Sequence, residues 1–124
     1  MEFTKTHPTT AVYLAHPTYN HRDPDPPRRK QEELKVFVKP LNSEVAIPEL
    51  RLEGDAGFDL KSTEDLMMMP GEILLIPTGL AMEIPIGYMG KIHSKSGLVL
   101  AGLIIHGGVI DSNYCGHIRV IAEN

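Results

Sequence analysis

From Leu34 onward the chain is built of short runs in which apolar and polar residues alternate or aliphatic residues cluster, most of them bounded by Gly or Pro. "LKVFVK" at 34–39 alternates and stops at Pro40. "GFDLKS", "GEILLIP", "LAMEIP", "GYMGKIHS", "GLVLAGLIIHGG" and "GHIRVIAEN" follow, and each reads as a strand or a strand pair. "PG" at 70–71 and "PIG" at 85–87 mark turns. No stretch carries a helical period over a useful length. "QEELKV" at 31–36 is the one helical competitor and is too short to sustain a helix. Many short strands at close spacing predict an all-β fold, a barrel or a double-sheet jelly roll, over residues 34–124.

Residues 1–33 differ. They are rich in Pro, His, Thr and charge, and "DPDPP" at 23–27 continues neither a helix nor a sheet. "HPT" at 7–9 and again at 16–18 is too little for a structural repeat. The expectation is a flexible leader whose histidines are solvated rather than metal ligands. In "LMMMP" at 66–70 the side chains of consecutive residues alternate on a strand, so the three Met fill core and loop instead of converging on a soft metal.

Composition adds bounds. The 124 residues suffice for one domain, and 42% hydrophobic with 23% charged is ordinary for a globular chain. A net charge of −4 argues against a general nucleic-acid binder, although a local cluster of donors can still hold a polyanion. A single cysteine, Cys115, excludes an intrachain disulfide and fits a reducing compartment. The apolar run "LVLAGLII" is too short for a bilayer, and "MEFTKTHPTT" lacks the order of a signal peptide. An intracellular protein, cytoplasmic or nuclear, with no membrane partner is expected.

Three stretches carry chemistry. In "DAGFDL" at 55–60, Ala56 and Gly57 allow a tight turn before a strand, and Asp59 points away from the face that Phe58 and Leu60 bury. Alone, such an acid is ordinarily just solvated. In "KIHSKSGL" at 91–98, Ser94, Lys95, Ser96 and Gly97 gather hydroxyls, an ammonium and an unhindered backbone N–H, the groups that hold phosphate oxygens. Many loops also read this way. "GGVIDSNYCGHIRV" at 107–120 reads as a β-hairpin with Asp111 and Tyr114 at its tip. Its backbone can read a base edge, Tyr114 can pack against a sugar and Asp111 can take a proton from water. An ordinary hairpin with a turn Asp is the plainer reading of that stretch by itself.

Taken in order, "AGFDL … ILLIPTGLAMEIPIGYMGKIHSKSGL … GGVIDSNYCG" closely resembles the trimeric dUTPase family, over about Val36 to Asn124. The resemblance implies a jelly-roll homotrimer that hydrolyses dUTP to dUMP and pyrophosphate with Mg²⁺. By motif, Asp59 positions the metal through water, and Lys95, Ser96 and Gly97 meet the phosphates. Val109 and Ile110 belong to the backbone that reads uracil, Tyr114 packs on the deoxyribose, and Asp111 is the base that activates water. The base-edge reading discriminates because a wrong partner leaves buried groups unpaired.

The chain departs from the family pattern in three ways. Lys95 stands where Arg is usual, which keeps charge and loses bidentate geometry. Asn113 stands where Asp is usual. The family's fourth motif and its glycine-rich fifth do not follow "VIAEN", so an exposed sheet edge and weak or no turnover are expected of this chain. The alternatives are a fold-sharing binding module without catalysis, and a dCTP deaminase-like enzyme. The latter needs a Glu near Ile121, and Glu123 lies two residues on. His93, His106 and His117 show no metal-ligand pattern.

Overall fold

Burial alternates residue by residue along the last strand: Ile118, Val120 and Ala122 are buried, whereas Arg119 and Ile121 are exposed. That two-residue period lays one face of this strand on the core and turns the other outward, whereas residues 78–82 are buried in succession. The computed structural model describes residues 2–3, 8–15, 35–50, 52 and 54–124. In chain order the elements are β1 (Glu2–Phe3), β2 (Pro8–Ala15), β3 (Phe37–Pro40), β4 (Phe58–Lys61), β5 (Leu66–Met67), β6 (Ile73–Glu83), β7 (Met89–Ser94), α1 (Ser96–Leu100), β8 (Ile104–His106), β9 (Val109–Ile110) and β10 (Ile118–Glu123). One sheet runs β3-β6-β10-β8 and the other β4-β2-β7-β9, with β1 paired to β5. All pairings are antiparallel. The two sheets make the jelly roll that the strand pattern predicts.

The core lies between the sheets. Leu60 from β4, Ile76 from β6, Val120 from β10, and Met68, Ile84 and Leu103 from the connections are its largest fully buried side chains. Met68 is buried while Met67 and Met69 are exposed, as alternation requires of consecutive Met.

Three local expectations are corrected. "GLVLAG" is not strand: Ser96–Leu100 is a single helical turn and a half. The Lys95 carbonyl accepts from the N–H groups of Leu98 and Val99, and Gly102 at φ +100° lets the Leu103 N–H return to the Leu98 carbonyl. This glycine-closed end suits a five-residue helix that ordinary periodicity cannot detect. The second correction concerns residues 107–120, which are not a hairpin. β9 pairs with β7 in one sheet and β10 pairs with β6 and β8 in the other. The turn at Asp111 is therefore an arch between layers. Ile110 and Ile118 are both buried, and burying them from opposite sheets keeps both apolar faces on one core. Third, part of the expected leader is strand, since β2 stands between β4 and β7. Thr9, Thr10, Val12 and Tyr13 are strong strand formers, and partners on both edges outweigh the neighbouring prolines. The rest of that expectation, at residues 1, 4–7 and 16–33, lies outside the described residues, as do His7, His16 and His21.

The base of the arch is fastened by His117. The Gly79 N–H donates to its Nε2 at 2.9 Å. Burial first, and the charge of Arg119 second, hold the imidazole pKa below the usual 6.5. Below pH 6.5 the unfolded chain therefore binds more protons than the folded one, and stability falls as pH drops from there through the folded pKa. Protonation also removes the acceptor for Gly79, a bond worth about 1 kcal/mol. Thermal melts between pH 8 and pH 5 are expected to show Tm falling below pH 6.5, and His117→Gln is expected to flatten that slope.

Candidate active site

Asp59 sits at the middle of β4, with Leu60 fully buried and Phe58 packed on the core. Its carboxylate therefore emerges on the outward face of the sheet, as expected. Across β2, Ala11 is the register partner of both Asp59 and His93. That row, continued by alternation along β7, puts Lys91, His93 and Lys95 on the face that carries Asp59. Lys95 Nζ donates to Asp59 Oδ1 at 2.9 Å, with the two side chains 33% and 18% exposed. Lys91 Nζ donates to the carbonyl of Gly107, tying β7 to the approach to β9. Sequence reading did not single out Lys91 and His93 as members of this face. The signal was the alternation in "KIHSK" itself.

Ser96 and Gly97 follow Lys95 and are exposed. Leu98 supplies the first N–H that bonds back into the turn, so the N–H groups of Ser96 and Gly97 precede the bonded ladder. A Cβ placed on Gly97 would meet nothing within 4 Å, so a bulky anion has room beside this backbone. Ser94 is separated from this group. Its Oγ accepts from the Ile105 N–H at 2.9 Å and fastens β7 to β8.

The arch holds the other candidates. Val109 is exposed, and Ile110 is buried against Gly90, so only the backbone of Ile110 is available to a ligand. Asp111 is exposed, and its carbonyl accepts from the Tyr114 N–H at 3.1 Å. The Tyr114 hydroxyl donates to the His117 carbonyl at 2.8 Å. Its ring covers Gly116, where an added Cβ would lie 2.8 Å from Cζ. The aromatic is thus fixed before any ligand arrives.

Within one chain these two groups stand apart. Asp111 lies one residue beyond β9, level with Met89, while Asp59 is level with His93 and three strands away. At ordinary strand spacing and rise that is a separation on the order of 20 Å. Lys95, Ser96 and Gly97 gather with Asp59, whereas Asp111 and Tyr114 do not.

Among the described residues no group of three or more His, Cys, Asp or Glu is arranged to hold a metal ion. A single carboxylate nevertheless suits Mg²⁺, which keeps most of its waters and takes its other ligands from substrate phosphates. Asp59 meets that requirement. It also lines a cleft of about 730 Å³ with Glu44, Glu49, Ser62 and Thr78, and that cleft includes neither residues 95–97 nor 109–114.

The fold is a double-sheet jelly roll, and this face sets a carboxylate beside a cationic, glycine-bearing turn. The dUTPase family profile matches residues 43–124, and the chain belongs to the dUTPase family. The deoxyuridine 5'-triphosphate nucleotidohydrolase of Nautilia profundicola is 45% identical over 94 residues, 73% of this chain and 66% of that one. The Streptomyces avermitilis protein of the same name is 36% identical over 94 residues, 73% of this chain and 54% of that one. This chain therefore spans less than two thirds of these relatives. Among solved structures, the dUTPase of phage phi11 of S. aureus, described as coordinating a structural Mg(II) ion, aligns with TM-score 0.69 at 34% identity over 73% of this chain and 60% of that one. A Staphylococcus bacteriophage 80alpha dUTPase mutant with dUpNHpp aligns with TM-score 0.69 at 34% identity over 73% of this chain and 54% of that one.

Proposed function

We propose that this chain supplies the catalytic jelly roll for hydrolysis of dUTP to dUMP and pyrophosphate. The observation that carries the reading is the Asp59–Lys95 pair beside Ser96 and Gly97, on a chain whose relatives carry the name of that reaction. Lys95, Ser96 and the Gly97 backbone donate to the triphosphate oxygens, replacing water around a concentrated negative charge. Asp59 holds Mg²⁺ through water. When bound, that ion neutralises the triphosphate. The backbone at Val109 and Ile110 reads the uracil edge. Tyr114, already locked over Gly116, presents its ring to the deoxyribose. The Asp111 carboxylate accepts the proton of a water as that water attacks the α-phosphorus, and pyrophosphate leaves.

The separation of Asp111 from Asp59 supports assembly: one copy contributes the phosphate face and another the arch. An exposed apolar surface is at hand. On the outward side of β6, β10 and β8, Leu75 pairs with Ile121, while Ile73 and Ile104 flank Glu123, and all four aliphatic side chains are exposed. The His106–Glu123 contact lies among them. Apolar patches of this kind mark association surfaces, and a homotrimer is the proposed state. The deaminase-like alternative needs a Glu at Ile121, which is instead part of this patch. Among the described residues no helix is long and apolar enough to cross a membrane. An intracellular setting, cytoplasmic or nuclear, accords with one unpaired thiol, Cys115.

The test is product analysis with dUTP, dCTP and UTP side by side in Mg²⁺. Whatever turnover the chain supports is expected to yield dUMP and pyrophosphate, and from dUTP alone. Ammonia from dCTP, or binding that does not prefer dUTP over dCTP and UTP, would overturn the reading. At the phosphate face, Lys95→Met is expected to weaken binding of inorganic triphosphate by about tenfold, and Lys95→Arg to preserve it, as calorimetry would measure.

A further inference from the structure

Among the described residues β4, which carries Asp59, is an edge strand whose one neighbour in its sheet is β2. β7, which leads into Lys95, lies on the other side of β2, so β4 and β7 never pair with each other. Two strand spacings separate them, about 10 Å. The Asp59–Lys95 ion pair spans that gap. Its register is set by one row, Asp59 to Ala11 to His93, and by the next, Leu60 to Thr10 to Ser94. Both rows run through the backbone of Pro8–Ala15. A one-residue slip of β4 against that strand would turn Asp59 to the wrong face relative to Lys95.

We propose that residues 8–15 are a positioning element of the site: the N-terminal strand is the insert that aligns the carboxylate strand with the cationic turn. The segment acts through main-chain pairing, so strand compatibility of residues 8–15 is the property that matters. The inference rests on the phosphate reading of Asp59 and Lys95 for its consequence, but not for the coupling itself. A strand contributed by a remote part of the chain is also the natural unit of local opening, because its pairing is lost as a whole. Pairing on both edges makes it intolerant of proline, which removes a ladder donor in the middle of a sheet.

Amide hydrogen exchange on the full chain tests the coupling without any substitution. The amides of residues 58–61 and of 89–94 that bond toward β2 are expected to exchange in the same opening as those of 8–15, ahead of the amides of β6 and β10. Protection of 58–61 that outlasts exchange of 8–15 would overturn the proposal. Ala11→Pro is expected to abolish that protection and to weaken binding of inorganic triphosphate by about tenfold, while Ala11→Ser, which keeps the strand and adds little bulk to the face of Asp59 and Lys95, retains both. A peptide of residues 7–16, added to the Ala11→Pro chain, is expected to restore both. Triphosphate binding by Ala11→Pro equal to that of the unsubstituted chain would contradict the proposal. If the unsubstituted chain does not bind triphosphate at all, the phosphate reading fails, and the exchange pattern still decides the strand coupling.

Discussion

Asp111→Asn is expected to reduce pyrophosphate release from dUTP by about a thousandfold or more while leaving binding of a non-hydrolysable dUTP analogue within a few-fold, because only the proton acceptor is removed. Asp111 is exposed at the tip of the arch, and its main-chain carbonyl, not its carboxylate, closes the turn with the Tyr114 N–H. The substitution therefore keeps the shape of the turn and changes the basicity of one group. Parallel measurements of turnover and of analogue binding separate the two roles. Unchanged turnover would remove Asp111 as the base, and loss of binding with turnover would make it a binding residue instead.

Gly108→Ala is expected to have the largest effect on stability. Gly108 has φ +87°, and a Cβ there would lie 2.6 Å from the carbonyl oxygen of Ile92 and 3.1 Å from the Ile92 side chain. The Gly108 carbonyl also accepts from the Ile92 N–H at 2.8 Å, so backbone faces backbone and neither side can yield. Left-handed strain plus that clash is worth about 3 kcal/mol, enough to lower Tm by about 10 °C. Gly71→Ala is the control: its φ is +77°, but a Cβ there meets nothing within 4 Å. Differential scanning calorimetry of the two variants should show a loss several times larger for Gly108→Ala. Equal losses would mean that positive φ alone, not the approach of Ile92, governs the position.

The arch also shows where the sequence was informative and where it was not. Period-two alternation located β4, β7 and β10 and fixed the outward direction of Asp59, and aliphatic clustering located β6 as two runs that the structure joins into one strand, because those properties depend on neighbours along the chain. It did not reveal that β9 and β10 join different sheets. A strand–turn–strand pattern is the same in a hairpin and in an arch, and only the burial of Ile110 and Ile118 from opposite layers distinguishes them. The short helix at Ser96–Leu100 was hidden for a similar reason: five residues are fewer than the two turns over which a helical period can be recognised. β2 was hidden by Pro8 and by the Pro- and His-rich sequence on either side of it, and its partners lie more than forty residues away in the chain. The candidate phosphate groups were legible from residue type and order, but their separation from Asp111 follows from strand order, which no local pattern contains.

That separation makes the central claim testable. Asp59→Asn and Asp111→Asn chains, each inactive alone, are mixed, exchanged under mild denaturation and assayed for dUTP hydrolysis. If Asp59 of one copy works with Asp111 of another, about a quarter of the sites in an equal mixture carry both native carboxylates, and activity returns in that proportion. A mixture that assembles yet stays as inactive as either variant alone would contradict a site shared between copies.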